Sequence, residues 1–212
     1  MAVWLIRAGE HFQFEDRFFK DDRVYLTCDG ISGEDFTEIS DYSGIRKVLL
    51  TRLEGRDDVE IVNLSDVVFE FVMSMTTRDF VITPRKTSNT VAIGEILSPY
   101  GFDPGAEPPF NHLRDVKWIA MDVPTPSFTA EVQSYLNVTA PVVQIKVSNV
   151  AAQVRKIVEP QFEIRLEPQI SASTSVKEKP MQVAGITSAT NDVSLTKPPV
   201  REEVSPPVSG LE

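Results

Sequence analysis

Cysteine and histidine are scarce in this chain of 212 residues, and the scarcity argues against several kinds of site. The single cysteine, Cys28, excludes an internal disulfide framework and argues against a cysteine-rich zinc site. The two histidines, His11 and His112, are not spaced as a metal-binding pair, and we expect both on loop surfaces. The sequence contains neither a phosphate-binding glycine loop nor a nucleophile motif. It therefore predicts a protein that is not an enzyme and that uses no cofactor and no metal.

Long apolar runs and positive charge are also in short supply. No run approaches the roughly 18 apolar residues of a membrane span, and the N-terminus lacks the apolar core of a secretory signal. We therefore expect a cytoplasmic protein without membrane contact. Lys and Arg number 21 against 31 Asp and Glu, which gives a formal net charge of -10. Because proteins that bind the DNA backbone need a basic face, any nucleic-acid contact must come from a local basic patch or from a pocket.

Three β-branched segments form the centre of the predicted fold. Phe80–Thr83, Thr90–Leu97 and Val116–Val123 are separated by a short polar loop and a long one. Gly94, inside the second segment, predicts a bulge or a close approach of two backbones. Ser43 is the predicted cap of a helix within Gly33–Asp58. Other strands are predicted at Ala2–Arg7, Arg23–Cys28 and Val142–Val147, and other helices at Val62–Met75, Thr129–Leu136 and Asn149–Glu159. The fold class is α+β, with a small, curved, mostly antiparallel β-barrel and packed helices.

The composition changes after Glu159. From Glu167 onward the chain is dense in Pro, Ser, Thr, Val, Lys and Glu, and it contains no Phe, Trp or Tyr. Such a segment cannot bury enough apolar surface to offset the entropy cost of ordering it. The sequence thus predicts one folded domain over residues 1–159 and a disordered Pro/Ser/Thr-rich tail over residues 160–212.

Five segments together resemble a known module. They read VWLIRAGEH, RVYLTCDGI, NLSDVVFEFVMSM, DFVITPRKTSNTVAIGEI and DVKWIAMDVP, in this order. The module is the N-terminal domain that precedes the nuclease domain in Mrr-type restriction endonucleases. It is similar in turn to the EVE and PUA-like domains, small barrels that read modified bases. The resemblance spans residues 1–159 and implies a PUA/EVE-like domain that recognises a modified nucleobase in DNA.

The chain departs from this module at several positions. The module carries Trp near the position of Cys28 and Trp at the position of Phe69. It carries Gly-Asp where this chain has Arg78 and Asp79. Residues 160–212 are too short to supply the nuclease domain, so the resemblance implies a reader whose nuclease is a separate partner protein.

Aromatic residues on two strands are the first candidates for a base-binding pocket. Trp4 and Trp118 are expected to wall the pocket, because a flipped base gains about 1–3 kcal/mol by stacking on an aromatic ring. The alternative is that both indoles are packing residues of the core or its rim.

The loop Pro84–Asn89 is the second candidate, because it is basic within an acidic chain. Arg85 and Lys86 are expected to contact phosphates. The hydroxyl and amide groups expected to bond a base edge or a sugar belong to Thr87, Ser88 and Asn89. The alternative is a solvated hairpin turn that satisfies its own backbone.

Asp29 and Asn63 are polar residues beside apolar runs, and either could discriminate a base by its Watson–Crick edge. Their alternatives are a turn former and a helix N-cap.

The predicted function is a non-catalytic recognition module for modified nucleobases in DNA, associated with restriction and defence. The alternative is a structural or protein-interaction protein with a degenerate EVE-like barrel. In that case the acidic face and the tail recruit a protein partner. The acidic charge and the missing Trp near Cys28 favour the alternative.

Overall fold

A curled, mostly antiparallel sheet lies at the centre of the fold, with helices on both of its faces. The computed structural model describes residues 1–86 and 89–166, with side chains to residue 159. Within these residues the strands are β1 (Val3–Ile6), β2 (Arg23–Tyr25), β3 (Phe80–Pro84), β4 (Thr90–Ile96), β5 (Gly101–Phe102), β6 (His112–Pro124) and β7 (Val142–Gln144). The α-helices are α1 (Glu15–Lys20), α2 (Tyr42–Arg52), α3 (Asp58–Phe69), α4 (Ala130–Leu136) and α5 (Val150–Leu166). A π-helical turn, Glu70–Ser74, continues α3, and a 3-10 turn, Thr125–Ser127, follows β6.

The strands form one sheet in the order β2-β6-β4-β3-β1-β7, and β5 pairs separately with β6. Only the β1–β3 pair is parallel among the described strands. The sheet curls into a half-barrel, which confirms the predicted α+β class and the curved, mostly antiparallel sheet. In this described part of the chain, no helix has both the length and the apolar composition that a membrane crossing requires. Beyond α5, the predicted tail lies outside the described residues.

Alternation along β1 shows how the two faces of the sheet are covered. Trp4 and Ile6 point into the core that α1, α2 and α3 cover. Val3 and Leu5 point to the opposite face, into the core that α4 and α5 cover. All four residues of β1 are buried, because successive side chains of a strand point to opposite faces and both faces are packed.

Gly94 lies at an irregularity of the sheet, as its position in the sequence predicts. The register of β4 against β6 shifts on both sides of Ile93. A Cβ atom on Gly94 would lie 2.4 Å from Cγ1 of Val116 and 3.0 Å from Cε3 of Trp118. The absence of a side chain therefore allows β6 to approach β4 beside a bulge.

Three details of the helices differ from the prediction. The N-cap of α2 is Asp41 rather than Ser43, since the Asp41 carboxylate accepts hydrogen bonds from the Gly44 N–H at 2.8 Å and from the Ser43 hydroxyl at 2.7 Å. A short helix, α1, forms between β1 and β2, where no helix was predicted. The last helix, α5, continues to Leu166.

His112 is buried, not exposed on a loop as predicted. Strand β6 begins at this residue, four residues earlier than expected, because it pairs there with β5 and continues alongside β2. The His112 ring lies within hydrogen-bond distance of the Tyr100 hydroxyl, 2.9 Å from Nδ1, and of the Ile31 carbonyl, 2.9 Å from Nε2. Burial lowers the pKa of His112 and so favours the neutral ring.

The buried carboxylate of Asp79 joins two parts of the chain, the N-terminal strand and the segment that follows the π-helical turn. It accepts hydrogen bonds from the backbone N–H of Ala2 at 2.7 Å and from Nε1 of Trp4 at 3.0 Å. It also accepts from the N–H and the hydroxyl of Thr76, at 3.0 and 3.1 Å. Burial by itself would raise the pKa of Asp79, but these hydrogen bonds outweigh it and the pKa is lowered.

Asp79→Asn should lower the free energy of unfolding by about 3 kcal/mol at pH 7, because the amide N–H group then faces donors it cannot satisfy. The lowered pKa means that the stabilisation from ionised Asp79 is complete above about pH 4 and is lost as the pH falls through the folded-state pKa. The difference in the free energy of unfolding between wild type and variant should therefore become smaller below about pH 4. Urea unfolding followed by tryptophan fluorescence measures both effects.

The matched control is Asp16→Asn, which makes the same change at an exposed position of α1. It should alter the free energy of unfolding by less than about 0.5 kcal/mol. Equal losses in the two variants would contradict the role assigned to Asp79.

Candidate functional site

Trp4 is a core residue and does not wall a pocket. Its side chain is 1% exposed, and its indole N–H is bonded to Asp79. Register partners run from Trp4 through Val81 and Gly94 to Trp118, so the two residues lie three strands apart in the sheet. The predicted pocket between two indoles is therefore wrong, because Trp4 is sealed in the core and a base cannot reach its ring.

Trp118 lies at the edge of the core. It is 9% exposed, its ring packs edge-on against Phe19 at 4.8 Å, and its Nε1 lies 3.4 Å from the Phe18 carbonyl oxygen. It lines an open depression of about 470 Å³ together with the charged or apolar residues Asp21, Asp22, Arg23, Leu97, Asp115, Val116 and Lys117. Because Trp118 is only 9% exposed, little of its ring is open to this depression for a base to stack on.

Arg85 is engaged within the chain and is not free to bind a phosphate, contrary to the prediction. Its guanidinium forms an ion pair with Glu15 and donates to the Met121 carbonyl at 2.8 Å. It also lies 4.8 Å above the Phe19 ring and 3.3 Å from the Asp122 carboxylate. These contacts fasten the β3–β4 hairpin to α1, so the arginine acts within the fold.

The other described residues of the β3–β4 hairpin form backbone hydrogen bonds within the fold and expose their side chains to solvent. The backbone N–H of Lys86 donates to the same Glu15 carboxylate at 2.7 Å, while its side chain is exposed. Asn89 is exposed, and its carbonyl accepts from the N–H of Thr125 at 2.9 Å. Thr87 and Ser88 lie outside the described residues.

A cleft of about 810 Å³ lies elsewhere, against the exposed side of α3. Six segments frame it: the β1–α1 loop, the residues after β2, the α2–α3 connection, α3 itself, the loop before β6, and the residues that lead into β7. Asp29 and Asn63, which the sequence nominated separately, both line this cleft. Its apolar lining comprises Phe14, Leu53, Leu64, Val67, Pro109, Ala140, Pro141, Val142 and Val143.

One face of α3 supplies the polar side of the cleft. Glu60, Asn63, Val67 and Glu70 recur at spacings of three and four residues, which places them in one stripe along the helix. Asn63 is therefore exposed in the middle of α3, whereas the N-cap position is Asp57. The opposite stripe, which includes Ile61 and Val68, is buried in the core.

The β1–α1 loop brings an aromatic ring to the cleft. Gly9 has a φ of +85°, and a Cβ there would lie 2.8 Å from Cδ2 of Phe14. The loop folds back on itself through a 3.1 Å hydrogen bond from the N–H of Phe14 to the Ala8 carbonyl. Phe14 is half-buried and packs edge-on against Phe110 at 5.1 Å. The glycine thus permits the tight turn that places the Phe14 ring in the lining.

The charged lining of the cleft is mainly acidic. Its carboxylates are Glu10, Asp29, Glu60, Asp66 and Glu70, and its guanidinium groups are Arg7 and Arg56. Arg7 donates to the carbonyls of Leu136 at 2.7 Å and Val138 at 2.6 Å, which holds the chain leading into β7 against the end of β1. Arg56 is exposed. The cleft therefore favours groups that donate hydrogen bonds and disfavours anions.

Sequence reasoning missed Phe14 and Glu70. A signal for Glu70 was present, since Glu60, Asn63 and Glu70 repeat with the helical period on the side opposite the apolar stripe. No comparable signal exists for Phe14, because its position depends on how the loop after β1 folds.

Cys28 also lines the cleft, and its thiol should be unreactive. Burial and the neighbouring Asp29 raise the pKa of Cys28 to about 12, so the thiolate fraction at pH 8 is only about 10⁻⁴. Alkylation by iodoacetamide at pH 8 should be roughly 10³-fold slower in the native protein than in guanidinium chloride. Cys28 is the only cysteine of the chain, so mass spectrometry reads this rate directly. A native rate within tenfold of the unfolded rate would contradict the raised pKa of the thiol.

The chain was compared with known proteins. No curated protein matches it. It is similar to a solved structure of a hypothetical protein from Leishmania major, at 16% identity over 76% of this chain and 97% of that one, with a TM-score of 0.38. It is also similar to the NMR structure of Rpa0253 from Rhodopseudomonas palustris, at 14% identity over 76% of this chain and 94% of that one, with a TM-score of 0.33.

A family match covers most of the domain just described. The family model of a domain of unknown function, DUF8426, matches residues 4–140, which is more than half of the chain and includes α3 and the β1–α1 loop. The chain therefore belongs to the DUF8426 family.

Proposed function

We propose that this domain is a non-catalytic binding module that accepts a single modified nucleobase of DNA in the cleft beside α3. The observation that carries the proposal is the cleft itself, whose lining combines an aromatic ring and apolar groups with hydrogen-bonding side chains of α3. Its volume of about 810 Å³ lies within the range of small-molecule sites, about 300–1,000 Å³. The proposal retains the PUA/EVE-like reading of the sequence and moves the site away from the two indoles.

The lining suits a flat, uncharged ring with a polar edge. The Phe14 ring offers an aromatic surface for stacking, and Leu64, Val67 and Pro141 can surround a methyl substituent. Asn63 and the carboxylates can bond the polar edge of a base. A base offers both surfaces once it leaves the stack, and a damaged or unpaired base leaves most easily.

The acidic lining implies that the base binds inside the cleft and that its phosphates stay outside. A phosphodiester group inside the cleft would meet mostly carboxylates, which repel it. The exposed Arg56 can contact a phosphate at the edge of the cleft. Binding should therefore come mainly from the base, with few phosphate contacts and a weak dependence on salt.

The resemblance seen in the sequence supports the same location. The Mrr-type module carries Trp near the position of Cys28, and Cys28 lines this cleft. The Trp itself is missing here, which counts toward the protein-interaction alternative, and Phe14 is the aromatic residue among those that line the cleft.

A protein-interaction module is the second candidate, because the carboxylates of the cleft also suit a lysine- or arginine-bearing peptide. Salt separates the two candidates. Binding of a cationic peptide weakens steeply with ionic strength, whereas binding through an uncharged base does not.

The direct test is fluorescence anisotropy with short single-stranded and duplex DNA that carries one methylated or hydroxymethylated base, or none. We expect the modified strand to bind more tightly than the same plain strand at 50 and at 200 mM salt. Equal affinity for modified and plain strands at both salt concentrations would contradict the proposal.

Phe14→Ala should weaken binding of the modified strand by about 1–3 kcal/mol, roughly 5- to 150-fold, because a stacking surface is lost. The matched control is Trp118→Phe, which alters an aromatic residue outside the cleft and should leave the affinity within about twofold. The reverse pattern would place the site at the depression beside Trp118.

A further inference from the structure

We infer that Glu70 selects the bound base by accepting a hydrogen bond from an exocyclic amino group on its polar edge. The inference rests on the proposed function and deepens it, since it names the class of base that the cleft takes. That class is an amino-bearing base rather than one that presents a carbonyl at the same position.

The first observation is the position of Glu70. It lines the cleft in the same stripe of the helix as Asn63 and Val67, at the point where α3 passes into the π-helical turn Glu70–Ser74. π-helical turns within helices are frequent at functional sites, because they change the direction of side chains relative to a regular helix. Glu70 thus lies where the polar stripe of α3 ends.

The second observation is that hydrogen bonds fix the backbone around Glu70. The Glu70 carbonyl accepts from the N–H of Met75 at 3.0 Å. The buried Arg114 donates from Nε to the Phe71 carbonyl at 2.9 Å and from Nη2 to the Val72 carbonyl at 3.0 Å. A side chain on a backbone fixed in this way can discriminate between ligands, because it loses little freedom on binding.

The third observation is that the Glu70 carboxylate is half-buried without a hydrogen-bond donor among the described residues. Burial raises the pKa of Glu70, the positive charge of Lys146 lowers it, and the negative charge of Asp66 raises it further. Asp66 is a like charge one turn earlier on the same helix, an arrangement that destabilises a helix on its own. A ligand N–H group would satisfy the carboxylate and reduce this cost.

The chemistry of the acceptor defines the ligand. The exocyclic amino group of cytosine or adenine donates a hydrogen bond to a carboxylate. Thymine places a carbonyl oxygen at the position where cytosine has its amino group, and two acceptors repel one another. A site built around an acceptor therefore rejects the carbonyl-bearing analogue.

A pair of nucleosides tests this directly. 5-Methyl-2′-deoxycytidine and thymidine have the same sugar and the same methyl group, and they differ at the polar edge of the base. We expect isothermal titration calorimetry to show at least about tenfold tighter binding of 5-methyl-2′-deoxycytidine. Both nucleosides are uncharged, so a difference in affinity cannot come from phosphate contacts.

Glu70→Gln should reduce this preference to within about threefold. The glutamine amide can rotate to present either an acceptor or a donor, so it can satisfy both bases. The matched control is Glu131→Gln on α4, an exposed position outside the cleft, which should keep the wild-type preference. Thermal unfolding of each variant, followed by circular dichroism, verifies that the comparison is between folded proteins.

The outcomes separate the inference from the proposed function. If the wild type binds both nucleosides equally, or if Glu70→Gln keeps the preference, the role of Glu70 is overturned while the base-binding cleft stands. If the wild type binds neither nucleoside and no modified oligonucleotide, both are overturned. A preference for 5-methyl-2′-deoxycytidine that Glu70→Gln abolishes and Glu131→Gln preserves supports both.

Discussion

The hydrogen bonds to the buried Asp79 carboxylate are the interaction on which the arrangement of this domain depends. One carboxylate joins the N-terminal strand, through Ala2 and Trp4, to the segment that leaves the π-helical turn, through Thr76. A buried charge of this kind is stabilising only when several donors surround it, and here four do. The preceding residue, Arg78, has a φ of +70°, a conformation that glycine adopts at little cost.

Arg114 connects this centre of the fold to the cleft. It is 1% exposed and donates to the carbonyls of Phe71, Val72 and Ser98, and burial lowers its pKa to about 10. The negative charge of Asp79 favours the charged form of Arg114. The guanidinium thus satisfies carbonyls that the irregular turn leaves without regular helical partners. The cost of burying Arg114 is offset by these bonds, and the result is a fixed end for the polar stripe of α3.

The distribution of charge explains how an acidic domain could bind DNA in the way proposed. Acidic groups dominate the cleft, and Arg85, a cation of the predicted phosphate loop, is engaged with Glu15 and Asp122. A protein with this surface would gain little affinity from the DNA backbone. Recognition of an exposed base by stacking and by carboxylate acceptors requires no such affinity. The same acidity favours an amino-bearing base over a carbonyl-bearing one, so in our proposal selectivity and weak backbone binding have one electrostatic origin.

The sequence by itself determined the strand pattern, the α+β class, the irregularity at Gly94 and the net acidic charge, because these follow from local periodicity and composition. It also nominated Asp29 and Asn63, although not as neighbours. The tertiary structure alone decided that Trp4 is sealed in the core, that Arg85 is paired and that Phe14 reaches a cleft. Each of these outcomes depends on contacts between residues distant in sequence, such as Trp4 with Asp79 or Arg85 with Glu15. Local patterns indicate which side of a strand or helix a residue occupies, but only the folded chain determines what lies opposite it.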